Sequence, residues 1–170
     1  LIVGGLLVGI TKSKKKFLPV NLANEIEISI ERFRKADPNY NAFFRMEMLP
    51  VIEGNGKMLR SLFDELISNA LKFKREGIRP VVEIFGQKEK NKIWRISIFD
   101  NGVGFDQKIL SKFFRTTSQD DKLGDGQFKK RGLKLCKEIV DYHNGTIYGK
   151  SILGQGAKFI IRLPEKQSPE

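Results

Sequence analysis

Cysteine and histidine are nearly missing from this chain of 170 residues, which holds one of each, Cys136 and His143. A single cysteine excludes an intrachain disulfide and fits a reduced, cytosolic thiol. One cysteine and one histidine cannot build a familiar zinc cluster. The N-terminal apolar stretch is only 10 residues long, contains three glycines and runs into Lys12, Lys14, Lys15 and Lys16. Crossing a bilayer takes about twenty residues. No signal-peptide cleavage pattern follows the stretch, and no internal repeat is visible. Acidic residues are outnumbered, 20 against 31 basic ones, for a formal net charge of +11. A clustered excess would point to nucleic acid or an anionic membrane. Here the basic residues are spread out and no RNA-stacking or DNA-reading motif accompanies them, so nucleic acid is not an expected partner.

What is present is a globular composition, 40% hydrophobic and 30% charged. The length suits one domain with short extensions and an ample core. The chain is organised around residues 62–73. Leu62, Leu66, Ile67, Ala70, Leu71 and Phe73 recur near a 3.6-residue period, which predicts an amphipathic helix starting near Gly56. Glu65 and Asn69 are four apart and share one face, and Lys72 stands on the same side. A carboxylate, an amide and an ammonium in one row can meet a metal-bound polyphosphate; the same row also suits a plain solvated face.

A second informative stretch follows. Residues 94–99 alternate and are rich in β-branched and aromatic side chains, so they read as a strand. That strand runs into Asp100-Asn101-Gly102-Val103-Gly104-Phe105. A carboxylate at a strand end beside two glycines sets an acceptor next to backbone that a flat ligand can approach. By itself Asp-Asn-Gly is also ordinary turn chemistry.

The other elements follow from the same signals. Asn21 is placed to cap a helix over 22–35, with Ile26, Ile30 and Phe33 on its buried face. Asp37-Pro38-Asn39 ends it. Residues 43–48 read as a strand and 50–55 as a loop. Strands over 81–87 and 92–99 flank the polar turn 88–91, a hairpin pattern. A short helix is expected over 107–114. Residues 116–131 are polar and aperiodic, as a functional lid or a disordered loop would be. A helix over 132–142 should turn Leu133, Leu135, Cys136, Ile139 and Val140 inward and end at His143-Asn144-Gly145. Two last strands cover 146–151 and 158–163, and the tail after Pro164 is expected to fray. Helices on one face of a mixed, mostly antiparallel sheet make an α/β (α+β) two-layer sandwich.

Taken in order, Glu-Leu-Ile-Ser-Asn-Ala-Leu-Lys-Phe at 65–73 and Asp-Asn-Gly-Val-Gly-Phe at 100–105 resemble two motifs of one superfamily. They are similar to the N and G1 boxes of the ATPases and kinases that include gyrase, Hsp90, MutL and the sensor histidine kinases. Residues 109–116 resemble the F box of sensor kinases, with Leu110 where its first Phe usually stands. Gly132-Leu133, His143-Asn144-Gly145 and Gly154-Gln155-Gly156-Ala157-Lys158-Phe159 follow that family's last third in order. The resemblance spans Pro19 to Pro164. It implies a Bergerat-type fold and the catalytic, ATP-binding domain of a sensor histidine kinase.

Roles follow from the resemblance by position. Asp100 would accept from the adenine amino group, with Gly102 and Gly104 letting the ring sit close. Asn69 would ligate Mg²⁺, Lys72 would neutralise phosphate charge, and Phe73 would pack beside the nucleotide or stay in the core. Residues 116–131 would form a lid over ATP. Lys130, Arg131, Gly132 and Leu133 would meet the phosphates at a helix start. Residues 1–16 would be the end of a dimerisation helix and its basic linker, or else the stump of a membrane span. Residues 17–164 would be the catalytic domain and 165–170 a tail. The chain lacks an initial Met and is expected to be a fragment of a cytoplasmic or membrane-anchored homodimer. The implied partners are an upstream dimerisation domain carrying the phosphoacceptor histidine, and a response regulator. His143, at the family's structural helix end, is not expected to be that acceptor.

Three departures stand out. Phe128-Lys129-Lys130-Arg131-Gly132 replaces two of the three glycines of a Gly-x-Gly-x-Gly motif. Ala157 stands where Thr is usual. Glu65 stands where many histidine kinases have Asn; in the gyrase, Hsp90 and MutL branch it is the base that activates water. Two other readings therefore stay open: a regulatory nucleotide-binding module with an altered lid, and an ATPase or serine kinase using Glu65 as base.

Overall fold

Asn55 sets the start of the organising helix: its side chain accepts the Met58 backbone N–H at 3.2 Å, satisfying one of the amides a helix start leaves open. The computed structural model describes residues 16–115 and 130–167. In it α2 (Gly56–Lys72) buries Leu59, Leu62, Phe63, Leu66, Ile67 and Ala70 along one side. Burying each of the large side chains stabilises by about 1.5–3 kcal/mol. That stripe fixes the helix rotation and leaves Glu65, Asn69 and Lys72 off the core. α1 (Leu22–Ala36) is capped in the same way, with the Asn21 side chain accepting from the Asn24 N–H. Its Leu22, Ile26 and Ile30 are buried, while Phe33 packs at the core's margin, half-exposed.

Behind the helices lies a five-stranded sheet in the order β2 (Phe43–Glu47), β4 (Val81–Lys88), β5 (Ile93–Asp100), β7 (Gly156–Pro164), β6 (Thr146–Ile152). Only the β2–β4 pair is parallel. The expected mixed, mostly antiparallel sheet is therefore found. Its inner face contributes Val82, Ile84, Ile96, Ile98, Phe159, Ile161 and Leu163 to the core. α2 lies between α1 and α4 (Lys130–Tyr142), and α3 (Gln107–Arg115) packs on β6 and α4. No helix among the described residues is long and apolar enough to cross a membrane.

The outer face of the sheet shows where much of the positive charge goes. Lys158 Nζ sits 4.5 Å from the Phe99 ring centroid, and the guanidiniums of Arg45 and Arg162 lie 5.4 and 5.7 Å from the Phe85 and Tyr148 rings. Basic stems thus shade aromatic rings that no helix covers, keeping their charged ends in water.

Four details differ from the sequence reading. Residues 50–55 are not a loop: β3 (Val51–Gly54) pairs antiparallel with β1 (Leu18–Asn21), and Val20 and Ile52 turn inward. Each strand alone carries too few residues to show alternation. Leu135 is 38% exposed rather than inward, because the core side of α4 is filled by Leu133, Cys136, Ile139 and Val140. α4 begins at Lys130, two residues earlier than expected. The chain after Pro164 is also tied down as far as Gln167. The Glu165 N–H donates to the Lys92 carbonyl, and its own carbonyl accepts from Glu53 N–H. Gln167 is buried, its N–H bonded to the Glu53 carboxylate and its side-chain amide to the His143 carbonyl.

Candidate functional site

The two sequence stretches meet at the end of α2. Phe73 caps that helix, its N–H reaching the Asn69 carbonyl, and its own carbonyl accepts from the Val103 N–H at 2.9 Å. A turn of α2 and the loop after β5 are therefore joined by a backbone hydrogen bond. The polar row is built as expected. Glu65 and Asn69 are half-buried one turn apart, and Lys72 is exposed in the last turn, its Nζ 5.3 Å from the Phe73 ring centroid. The Phe73 ring, half-buried, meets Phe105 edge-on at 5.4 Å. It thus borders both the core and the site.

Asp100 ends β5 between β4 and β7, facing Val82 and Ala157 in register. Its Oδ1 accepts the Gly102 N–H at 2.8 Å, and the Ala157 N–H also serves the carboxylate. Burial nevertheless wins and holds the Asp100 carboxyl above the usual aspartate range, since the two amide bonds only partly offset lost hydration. The loop itself is pinned by Asn101, whose side chain accepts from Val81 N–H and donates to the Arg79 carbonyl. Two glycines then interlock backbone with backbone. A β-carbon on Gly104 would fall on the Ile152 carbonyl, and one on Gly156 would fall on the Asp100 carbonyl, both at positive φ.

On the other flank α2 faces α4. A β-carbon on Gly132 would run into the Glu65 carboxylate, so glycine there lets the first turn of α4 close on that side chain. Cys136 lies one turn further along, and burial, with the Glu65 charge second, pushes its thiol up to about 12. Such a thiol stays protonated and unreactive near neutrality. Leu133 is buried, so its side chain belongs to the core. The side chains of Lys130 and Arg131, and residues 116–129 of the expected lid, lie outside the described residues.

His143 is fully buried at the end of α4. Its Nε2 accepts the Asn55 N–H at 2.9 Å and its Nδ1 lies 2.7 Å from the Ile139 carbonyl. The neutral ring with its proton on Nδ1 meets both bonds. Nε2 therefore supports the chain entering α2, and the ring is closed to an incoming phosphoryl group. Sequence reasoning missed Arg75, whose guanidinium bonds the loop after Asp100. Its only signal was a basic residue just past a helix end.

A family model described as histidine kinase-, DNA gyrase B-, and HSP90-like ATPase matches residues 54–167. Cyanobacterial phytochrome A of Nostoc is 34% identical over 120 residues, covering 68% of this chain and 15% of its own length. The sensor histidine kinase WalK of Bacillus subtilis is 29% identical over 157 residues, covering 89% of this chain and 25% of its own. The chain therefore spans a quarter or less of these curated relatives. The full-length structure of ShkA in complex with AMPPNP shares the fold, with a TM-score of 0.71 at 20% identity, over 92% of this chain and 33% of that one.

Proposed function

The chain belongs to the histidine kinase-, DNA gyrase B- and HSP90-like ATPase family, and we propose that it binds Mg²⁺-ATP and presents the γ-phosphate to a histidine outside itself. The observation that carries this reading is the Phe73–Val103 bond, which sets a polyphosphate-type polar row beside an adenine-type carboxylate loop. ShkA, of the same fold, holds an ATP analogue. Asp100 accepts from the adenine amino group, and Gly102 and Gly104 give the ring room. Lys72 neutralises phosphate charge, and the amides opening α4 around Lys130, Arg131, Gly132 and Leu133 offer further donors.

The residues fit Mg²⁺. Asn69 and Glu65 offer hard oxygen donors one turn apart on α2, which suits an ion that keeps several waters and takes phosphate oxygens. When bound, the ion offsets the charge of the phosphates. Substituting Asn69→Ala is expected to weaken ATP binding about 10–100-fold with Mg²⁺ present and hardly at all in EDTA. Titration calorimetry reads both. An equal loss in both conditions would remove the metal role from Asn69.

The acceptor histidine belongs to an upstream dimerisation domain in this reading, and a response regulator receives the phosphoryl group. The domain works in the cytoplasm as part of a homodimer, with 1–16 as its link and a catalytic domain that runs from 17 through the packed Gln167, its lid ending where α4 begins at Lys130.

Glu65 supports a second reading. Its carboxylate lies against the first turn of α4, where phosphates would bind, and a base there could activate water or a serine. Glu65→Gln is then expected to abolish phosphate release from ATP, by about 100-fold or more, while ATP binding persists. Phosphate release that survives the substitution excludes Glu65 as that base.

A further inference from the structure

We propose that Arg75 is a positioning residue for adenine recognition, a clasp that holds the Asp100–Gly104 loop against the β6–β7 turn. The inference rests on the ATP-binding reading above. Arg75 leaves the chain two residues after the cap of α2, and its half-buried guanidinium reaches two segments distant in sequence. Nε donates to the Asn101 carbonyl at 2.7 Å, and Nη1 reaches the Gly154 carbonyl at 3.4 Å. The first contact lies on the residue after Asp100. The second lies on the turn that joins β6 to β7.

Those segments already touch through backbone, since Gly154 N–H donates to the Val103 carbonyl at 2.6 Å. The interlocked Gly104 and Gly156 bring them close, and Ser151 Oγ bridges them, accepting from the Phe105 N–H at 2.6 Å and donating to the Gly156 carbonyl at 2.9 Å. Arg75 adds a second side-chain tie, at the end of the loop next to Asp100. A planar guanidinium can serve two carbonyls at once, whereas a lysine ammonium on a flexible stem can hold one well. The clasp acts on the position of the Asp100 carboxylate, and so on which purine edge the site accepts. Adenine presents an amino group to that carboxylate; guanine presents a carbonyl oxygen there, which an ionised carboxylate repels.

The test uses the whole 170-residue chain. Arg75→Ala and Arg75→Lys are titrated with ADP, ATP and GTP in EDTA, well below each variant's unfolding midpoint. Arg75→Ala is expected to bind ADP and ATP about tenfold more weakly with GTP little changed, so that the ATP-to-GTP preference narrows by the same factor. Arg75→Lys recovers part of that preference. A purely stabilising role would lower the melting midpoint and leave the preference intact. If the unmutated chain binds ATP and Arg75→Ala keeps its affinity and preference, the clasp is refuted and the ATP reading stands. If the unmutated chain binds neither ADP nor ATP, both fall together.

Discussion

Asp100→Asn is expected to leave a folded domain that binds ATP about a hundredfold more weakly, with or without Mg²⁺. An amide offers at most one oxygen, already sought by the Gly102 and Ala157 amides. Its NH₂ would confront the adenine amino group, donor against donor. Stability should move the other way. The folded Asp100 carboxyl is raised above its unfolded value by burial. A raised carboxyl contributes stability that is fully present below the unfolded pKa, about 4, and is lost as pH rises through the folded value. Above the folded pKa the empty domain therefore holds an ionised, poorly hydrated carboxylate at a cost. The asparagine removes that cost, so the melting midpoint without nucleotide should rise. ATP affinity of the unmutated domain should fall as pH drops through the raised pKa, because the protonated carboxyl no longer accepts on both oxygens. Thermal melts and titrations of the same samples check both signs. A variant that melts lower and binds normally would mark Asp100 as structural.

Gly156→Ala should cause the largest loss of stability, about 4 kcal/mol, equivalent to a midpoint about 10 °C lower. Two effects add. The φ of +98° is one that L side chains rarely adopt, costing about 1–3 kcal/mol. The new methyl also falls on the Asp100 carbonyl, a backbone atom held between β4 and β7 that cannot step aside. Gly154→Ala is the control. Its φ is +78°, but no atom lies within 4 Å of the added carbon, so only the strain remains. Chemical denaturation separates the two. Equal losses at both positions would mean that backbone strain, rather than the clash with Asp100, decides the effect.

These two positions lie where sequence and structure agree best, and the reason is local. The stripe on α2 and the alternation of β5 are encoded in neighbouring residues, so the helix and the strand carrying Glu65, Asn69 and Asp100 could be read directly. What escaped depends on distant pairing. Val51–Gly54 becomes a strand because residues 18–21 lie beside it. Gln167 is buried because Glu53 and the adjacent pair His143 and Asn144 offer partners from two other places in the chain. A polar residue near a chain end carries no pattern that announces such partners. Arg75 escaped for the same reason, since its partners lie 26 and 79 residues further on. Leu135 was misassigned because it sits beside Cys136 in a run where three of four residues are apolar, and only the packing of α4 decides which of them turns inward.

Nucleotide binding is decided by one titration series: ATP against the unmutated chain, Asp100→Asn and Asn69→Ala, each with Mg²⁺ and with EDTA. Asp100→Asn is expected to weaken binding in both conditions, and Asn69→Ala only when the metal is present. Failure of the unmutated chain to bind ATP, or full affinity in both variants, would contradict the Mg²⁺-ATP reading.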